Sequence, residues 1–326
     1  MILYLAPLQG FTEAYFRNAY SKYFDSFDLA IAPFIPSGEG DTIKTSRVKD
    51  LLHENNDKMP VDPQIIGKYA PEFIPLANHL YQMGYKTLNI NMGCPITKII
   101  RKMRGSGIIA YPEMVEMLLE KLHLEVPNQI SVKIRLGYYS KDELKTLMPI
   151  LNQFPLKELI VHPRLGSQMY KGVPDLEAFK WCQKNTKTPL VYSGDIFSRD
   201  GFKKLQNNLP SHERWMIGRG VVYDLFLPMS IKEDRLITKE DKSDLFPLFH
   251  QSLFEEVVKY RNRPRNQLNK MKEFWGYYSR QFENYESIHY TITRSASLEE
   301  FDELSRKIMK EEKWREFPII DKPLSE

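Results

Sequence analysis

The residues best placed to do chemistry are Cys94, Lys133, Arg135 and His162. Cys94 stands next to last in the run 88–95, LNINMGCP, in which Asn89, Ile90 and Asn91 suit a buried strand that Gly93 and Pro95 then stop. A thiol at such a break can face a ligand from a rigid support, as a reacting group does at a strand end. A small buried hydrophobe is the other reading of a free cysteine. Lys133 and Arg135 lie two apart on a strand pattern and therefore point the same way, with Val132 and Ile134 on the opposite face. Two inward cations are costly unless an anion, an electron-rich ligand or a structural carboxylate meets them. His162 follows the apolar residues 159–161, where a neutral imidazole can hydrogen-bond a ligand or satisfy itself within the core.

Two further strand ends carry glycine, in Ser193-Gly194-Asp195 and Gly218-Arg219-Gly220. Backbone N–H groups exposed by such turns hold phosphate, and Arg219 adds charge. Polyanion binding is also suggested by residues 259–280, with seven cations (Lys259, Arg261, Arg263, Arg265, Lys270, Lys272, Arg280) against one acid, Glu273. The aromatics Tyr260, Phe274, Trp275, Tyr277 and Tyr278 are interleaved with them, which fits either a surface that stacks on bases or a solvated helix face with its rings turned inward. A second basic cluster, Lys98, Arg101, Lys102 and Arg104, follows Cys94 directly.

These groups need a scaffold that brings several strand ends together. Apolar runs at 2–8, 29–35, 61–67, 87–93, 129–135, 158–164, 189–194 and 214–220 read as eight strands. Helical patterns at 71–83, 112–124, 141–154, 175–185 and 199–207 stand between them. Mostly continuous apolar strands alternating with helices predict an α/β fold, a parallel (β/α)8 TIM barrel whose strand ends open on one face. A doubly wound open sheet is the alternative, but no G-x-G-x-x-G follows the first strand. Beyond Tyr223 the β signal stops. The charge-rich residues 231–243 read as a linker, and helices at 245–260, 267–282 and 298–312 predict a small all-helical bundle, dividing the chain into 1–235 and 236–326. The 326 residues, 42% hydrophobic and 27% charged, are ordinary for a soluble globular protein. No run approaches the roughly 20 apolar residues that cross a bilayer, and the start has no leader pattern, so a cytoplasmic location is expected. The two cysteines, Cys94 and Cys182, give no metal spacing, and no disulfide or metal is expected. A net charge of +4 permits a nucleic-acid partner without requiring one.

Taken jointly, the motifs resemble the tRNA-dihydrouridine synthases of bacterial type. In order they are 6–10 (APLQG) with Phe16-Arg17, 64–67 (QIIG), 89–95 (NINMGCP), Gly105 and Gly107, 132–135 (VKIR), 161–164 (VHPR), 170–172 (YKG), 194–196 (GDI) and 216–220 (MIGRG). The resemblance implies an FMN enzyme, reduced by NADPH, that reduces the 5,6 double bond of a D-loop uridine in tRNA. It implies that Cys94 protonates C5, and a thiol of ordinary pKa, near 8.5, is largely protonated and so suited to the task. It further implies flavin contacts from Ala6, Pro7, Leu8, Gln64, Lys133, His162, Ser193, Gly194, Asp195, Gly218 and Arg219. Asn91 would meet the flipped base, while Arg101, Lys102, Arg261, Arg263, Arg265, Lys270 and Lys272 would meet tRNA. Ser193 stands where the family usually has Asn, and Pro163 where Gly is common. A monomer is expected. Two other readings are an FMN-dependent barrel oxidoreductase acting on a small pyrimidine-like molecule and a catalytically silent RNA-binding protein.

Overall fold

The computed structural model describes residues 1–40, 42–56 and 58–320. Its strands pair in parallel throughout, in one sheet. The first is Ile2–Leu5; the second comprises Leu29–Ile31 and Ile35–Pro36; the third comprises Val61–Asp62 and Gln64–Ile66. Thr87–Met92, Gln129–Arg135, Leu159–His162, Leu190–Tyr192 and Arg214–Ile217 complete the set. Leu29–Ile31 pairs Val61–Asp62 at one end of the strand order, and Ile35–Pro36 pairs Gln64–Ile66 at the other. Both pairings join the second and third strands, so the sheet closes into the predicted eight-stranded barrel. These two strands are broken where Pro33 and Pro63 lack the N–H that a ladder needs.

The apolar runs have two destinations. One buried cluster, Tyr4, Ala6, Ile31, Ile160, Val191 and Met216, fills part of the barrel interior from the first, second, sixth, seventh and eighth strands. The larger cluster lies between the strands and the surrounding helices, and it continues without a break into Phe246, Phe249, Phe274 and Trp275 of the helical region. On the third, fourth and fifth strands the corresponding buried residues are polar: Gln64, Asn89, Asn91 and Ser131.

Helix ends follow their caps. Ser140 and Thr238 each complete a reciprocal box with the acid three residues on, and Asp175 and Ser198 accept from the main chain of the first turn. The box at Thr238 corrects the linker reading of residues 231–243. The helix Lys239–Tyr260 begins inside that run, and Leu227–Lys232 is helical before it. Of the charges in that run, Lys239, Glu240, Asp241 and Lys242 belong to the capped first turn, while Glu233, Asp234 and Arg235 lie in the short connection before it.

Helices at Ala14–Tyr23 and Tyr285–Thr293 were not anticipated. The former, AYFRNAYSKY, lacks a clean apolar stripe because it is covered on two sides. It packs against the barrel and also against Lys239–Tyr260, with Phe16, Tyr20 and Phe24 in edge contact with Phe249. Polar ties reinforce that seam: Asn18 Nδ2 donates to Glu256 Oε2 at 3.1 Å, and Lys22 Nζ donates to Ser252 Oγ at 2.9 Å. No helix among the described residues is long and apolar enough to cross a membrane.

Candidate active site

The carboxyl ends of the strands surround a cavity of about 520 Å3, within the roughly 300–1,000 Å3 usual for small-molecule sites. Ala6, Pro7 and Leu8 form one wall, Asn91, Gly93 and Cys94 a second, Lys133, Arg135 and His162 a third, and Ser193, Gly194, Asp195, Gly218 and Arg219 a fourth. The helix Pro264–Tyr278 closes the remaining side with Glu273, Gly276 and Tyr277. One cavity thus collects nearly every strand end that sequence singled out.

Cys94 is partly exposed on this cavity, on a turn held from both sides. Asn91 Oδ1 accepts from the backbone N–H of Gly93 at 3.1 Å and of Cys94 at 2.9 Å. The Cys94 carbonyl accepts from Ser106 N at 3.0 Å and Ser106 Oγ at 3.1 Å. Gly105, at φ 59°, makes that approach possible, since a Cβ there would stand 2.6 Å from the Cys94 carbonyl oxygen.

Lys133 and Arg135 share a face as the strand period requires, but their surroundings differ. Arg135 is spent on loop carbonyls, donating to Gly93 at 3.0 Å, Leu165 at 2.9 Å and Met169 at 2.7 Å. Lys133 has no hydrogen-bond or ion-pair partner among the described residues. Burial first and Arg135 second push its ammonium down to about 8, with the Cys94 charge opposing. His162 is held well below its ordinary value by burial and then by Arg135, Lys133, Arg164 and Arg219, so its imidazole is neutral near pH 7.

Asp195 collects two of these cations. Arg164 grips it with paired bonds of 2.7 and 2.5 Å, and Arg219 Nη2 donates to it at 2.8 Å. The Arg219 guanidinium also lies 4.1 Å from the Tyr170 ring centroid and 5.2 Å from that of Phe197. Its Nη1 is buried with no hydrogen-bond partner among the described residues. Gly194 and Gly220 are glycine for a different reason from the one expected. A Cβ would collide with the Tyr192 hydroxyl at the first and with the Ile196 carbonyl at the second, so loop packing already demands them.

Other expected site residues lie elsewhere. Gln64 is fully buried and does not line the cavity; it bonds Asn91 and Asn89 beneath it. Asn91 lines the cavity but spends its oxygen on the Cys94 turn. Arg101, Lys102, Arg263 and Arg265 are exposed, as phosphate contacts must be. Lys270 is buried instead, bonded to the Gly10 carbonyl at 2.8 Å and paired with Glu273. Arg261 faces Glu13 at 3.5 Å, and Lys272 donates to the Ser295 carbonyl at 2.5 Å. These three brace the helical region; only Lys270 and Arg261 reach the barrel. The rings of Phe274, Trp275 and Tyr278 are buried, so they are packing rather than stacking platforms, while Tyr277 faces the cavity. Arg104 is occupied by Glu72 at 2.7 Å.

A sequence profile described as dihydrouridine synthase matches residues 4–318. The chain belongs to the dihydrouridine synthase family. A probable tRNA-dihydrouridine synthase of Staphylococcus epidermidis is 28% identical over 312 residues, covering 92% of this chain and 91% of the relative. A tRNA-dihydrouridine synthase B of Pasteurella multocida is 29% identical over 220 residues, covering 67% and 65%. Among solved structures, the old yellow enzyme homologue of Zymomonas mobilis superposes with a TM-score of 0.53 at 12% identity, over 81% of this chain and 94% of that one, and shares the fold.

Within this dihydrouridine synthase, sequence reasoning passed over most of the cavity's aromatic rim, Phe11, Phe34, Phe197 and Tyr223, and singled out only Tyr277. Nothing in their local pattern separates them from core rings. Arg164 was visible as a strand-end residue two beyond His162, yet its grip on Asp195 joins two distant loops and has no local signature.

Proposed function

We propose that this enzyme reduces the 5,6 double bond of a D-loop uridine in tRNA to dihydrouridine, with FMN in the cavity, NADPH as reductant and Cys94 as the general acid at C5. The observation that carries this reading is that a partly exposed thiol, Cys94, and a half-buried ammonium with no partner among the described residues, Lys133, line one cavity. The first can give a proton to carbon; the second calls for an electron-rich ligand.

The residues present fit a flavin mononucleotide. Arg219 Nη1, without a hydrogen-bond partner among the described residues, suits an anionic group, with Gly194, Ser193 and Gly218 alongside it. Lys133 and neutral His162 would meet the ring system, Ala6, Pro7 and Leu8 would pack along it, and Asp195 would act by fixing Arg164 and Arg219. When bound, FMN supplies the hydride for C6, and NADPH replenishes it. Cys94 then delivers the proton to C5, so that one hydride and one proton add across the double bond. The Asn91 and Ser106 contacts hold the thiol's turn, and the aromatic rim limits water.

A uridine inside folded tRNA must leave its stack to reach this cavity. Arg101, Lys102, Arg263 and Arg265, exposed on the barrel and on the helical region, would meet the phosphates. In this reading residues 1–235 hold the flavin and 236–326 grip tRNA, and the enzyme works as a cytoplasmic monomer.

The test is Cys94→Ala. It should retain FMN and NADPH oxidation while uridine reduction falls by about 10^2–10^4-fold. Full activity in that variant, or dihydrouridine unchanged at every tRNA position in a deletion strain, would overturn the proposal.

A further inference from the structure

The polar side of the barrel interior forms one directed chain of hydrogen bonds. The backbone N–H groups of Gly93 and Cys94 can only donate, so the Asn91 atom facing both of them, at 3.1 and 2.9 Å, must be its oxygen. Asn91 Nδ2 therefore turns to Gln64 Oε1 at 2.8 Å. Gln64 Nε2 in turn donates to Asn89 Oδ1 at 2.7 Å, and Asn89 Nδ2 donates to Ser131 Oγ at 2.7 Å. Reversing any one amide would set donor against donor, and for Asn91 and Gln64 oxygen against oxygen as well, so each orientation is dictated by its neighbour.

Gln64, Asn89 and Ser131 are fully buried, and none lines the cavity. Packing does not explain their polarity, because Ile160, Val191 and Met216 fill the other side of the same interior with apolar side chains. Buried amides are tolerated only when paired, and here the pairing runs in a single line to the turn that carries Cys94.

We propose that Gln64, Asn89 and Ser131 are positioning residues, which lock the Asn91 amide and through it hold the Cys94 turn. Both acceptor sites of Asn91 are consumed by the turn, which leaves one Nδ2 hydrogen as its remaining polar offer to the cavity. Such a donor suits a base carbonyl and rejects an exocyclic amine, favouring uracil over cytosine. The inference rests on the reading of Cys94 as the proton donor.

The experiment uses Asn89→Leu and Ser131→Ala in the full-length flavoenzyme. The first readout is the rate of Cys94 alkylation by iodoacetamide; Cys182 is fully buried, and Cys94→Ala gives the blank. The second is the uridine-reduction rate set against the rate at which NADPH reduces the flavin. Losing one buried link should speed alkylation and slow uridine reduction by about tenfold in Asn89→Leu, and by about threefold in Ser131→Ala, with FMN affinity and flavin reduction held within about twofold. The double variant should lose no more than Asn89→Leu alone, because both substitutions cut the same chain. Should Asn89→Leu fail to fold, Ser131→Ala decides the matter.

Unchanged alkylation and turnover in a folded variant would overturn the inference. So would an equal loss of flavin binding or flavin reduction, which would make these residues part of the cofactor site. Should the wild-type enzyme form no dihydrouridine in tRNA, the functional reading fails by itself, and alkylation still judges the positioning role.

Discussion

Lys133→Met should make the flavin-free protein more stable while weakening its binding site. Lys133 has no partner among the described residues, and burial together with Arg135 pushes its pKa from 10.5 down to about 8. Below pH 8 the lysine is charged whether the chain is folded or not, and the folded state bears the cost of a half-buried cation that no partner among the described residues offsets. At about 1.36 kcal/mol per pH unit, the gap corresponds to at most about 3 kcal/mol, since solvent in the cavity screens a half-buried ammonium. From pH 8 to about 10.5 the native lysine is neutral while the unfolded one still binds a proton, so wild-type stability climbs with pH and the cost is gone at the upper end.

Methionine has no charge to bury. Urea unfolding of flavin-free protein at pH 7 should therefore favour the variant by at most about 3 kcal/mol, and the advantage should largely vanish near pH 10.5. Packing of the new side chain adds a constant, so the change of the difference with pH is the readout. FMN affinity should fall by about ten- to a hundredfold with loss of a charge-assisted contact. A variant no more stable at pH 7 than wild type, or equally advantaged at both pH values, would refute the account of Lys133.

Two other substitutions probe the support of the site. Asp195→Ala strips the fully buried Arg164 side chain of its carboxylate and should cost about 3–5 kcal/mol in thermal or urea unfolding, together with a loss of FMN affinity. In the helical region, Arg263→Ala and Arg265→Ala should each reduce the slope of log affinity for tRNA against log salt by about 1. Lys270→Met should leave that slope unchanged and destabilise the fold by about 1–3 kcal/mol, because its ammonium is bonded to Gly10 and Glu273.

The barrel was legible because each strand is a short apolar run ended by a turn residue, a signal that is local. The cavity was legible for a related reason: in a parallel barrel all carboxyl ends share one rim, so Cys94, Lys133, His162 and Arg219 could be grouped before any distance was known. What escaped depends on contacts between distant residues. Alternation places Gln64 facing inward but not one layer beneath the cavity. Composition makes Lys270 one basic residue among several, and only the docking of its helix against Gly10 buries it. The helix Ala14–Tyr23 reads as a mixture because two partners bury it from different sides.

The charge arrangement narrows what the cavity accepts. Arg164 is paired with Asp195 and does not line the cavity, and Arg135 donates to three carbonyl oxygens, so neither calls for a ligand there. Among the described residues Arg219 has Nη2 on Asp195 and Nη1 without a hydrogen-bond partner, while Lys133 has neither a hydrogen-bond nor an ion-pair partner. A neutral apolar occupant would leave both debts standing and desolvate them further. An occupant with electron-rich atoms at two places, an anion for Arg219 and ring carbonyls or nitrogens for Lys133, settles them together. The neutral state of His162 then matters for the same reason, because a third cation on this wall would oppose Lys133 and Arg135, whereas an uncharged imidazole adds a hydrogen bond without adding repulsion.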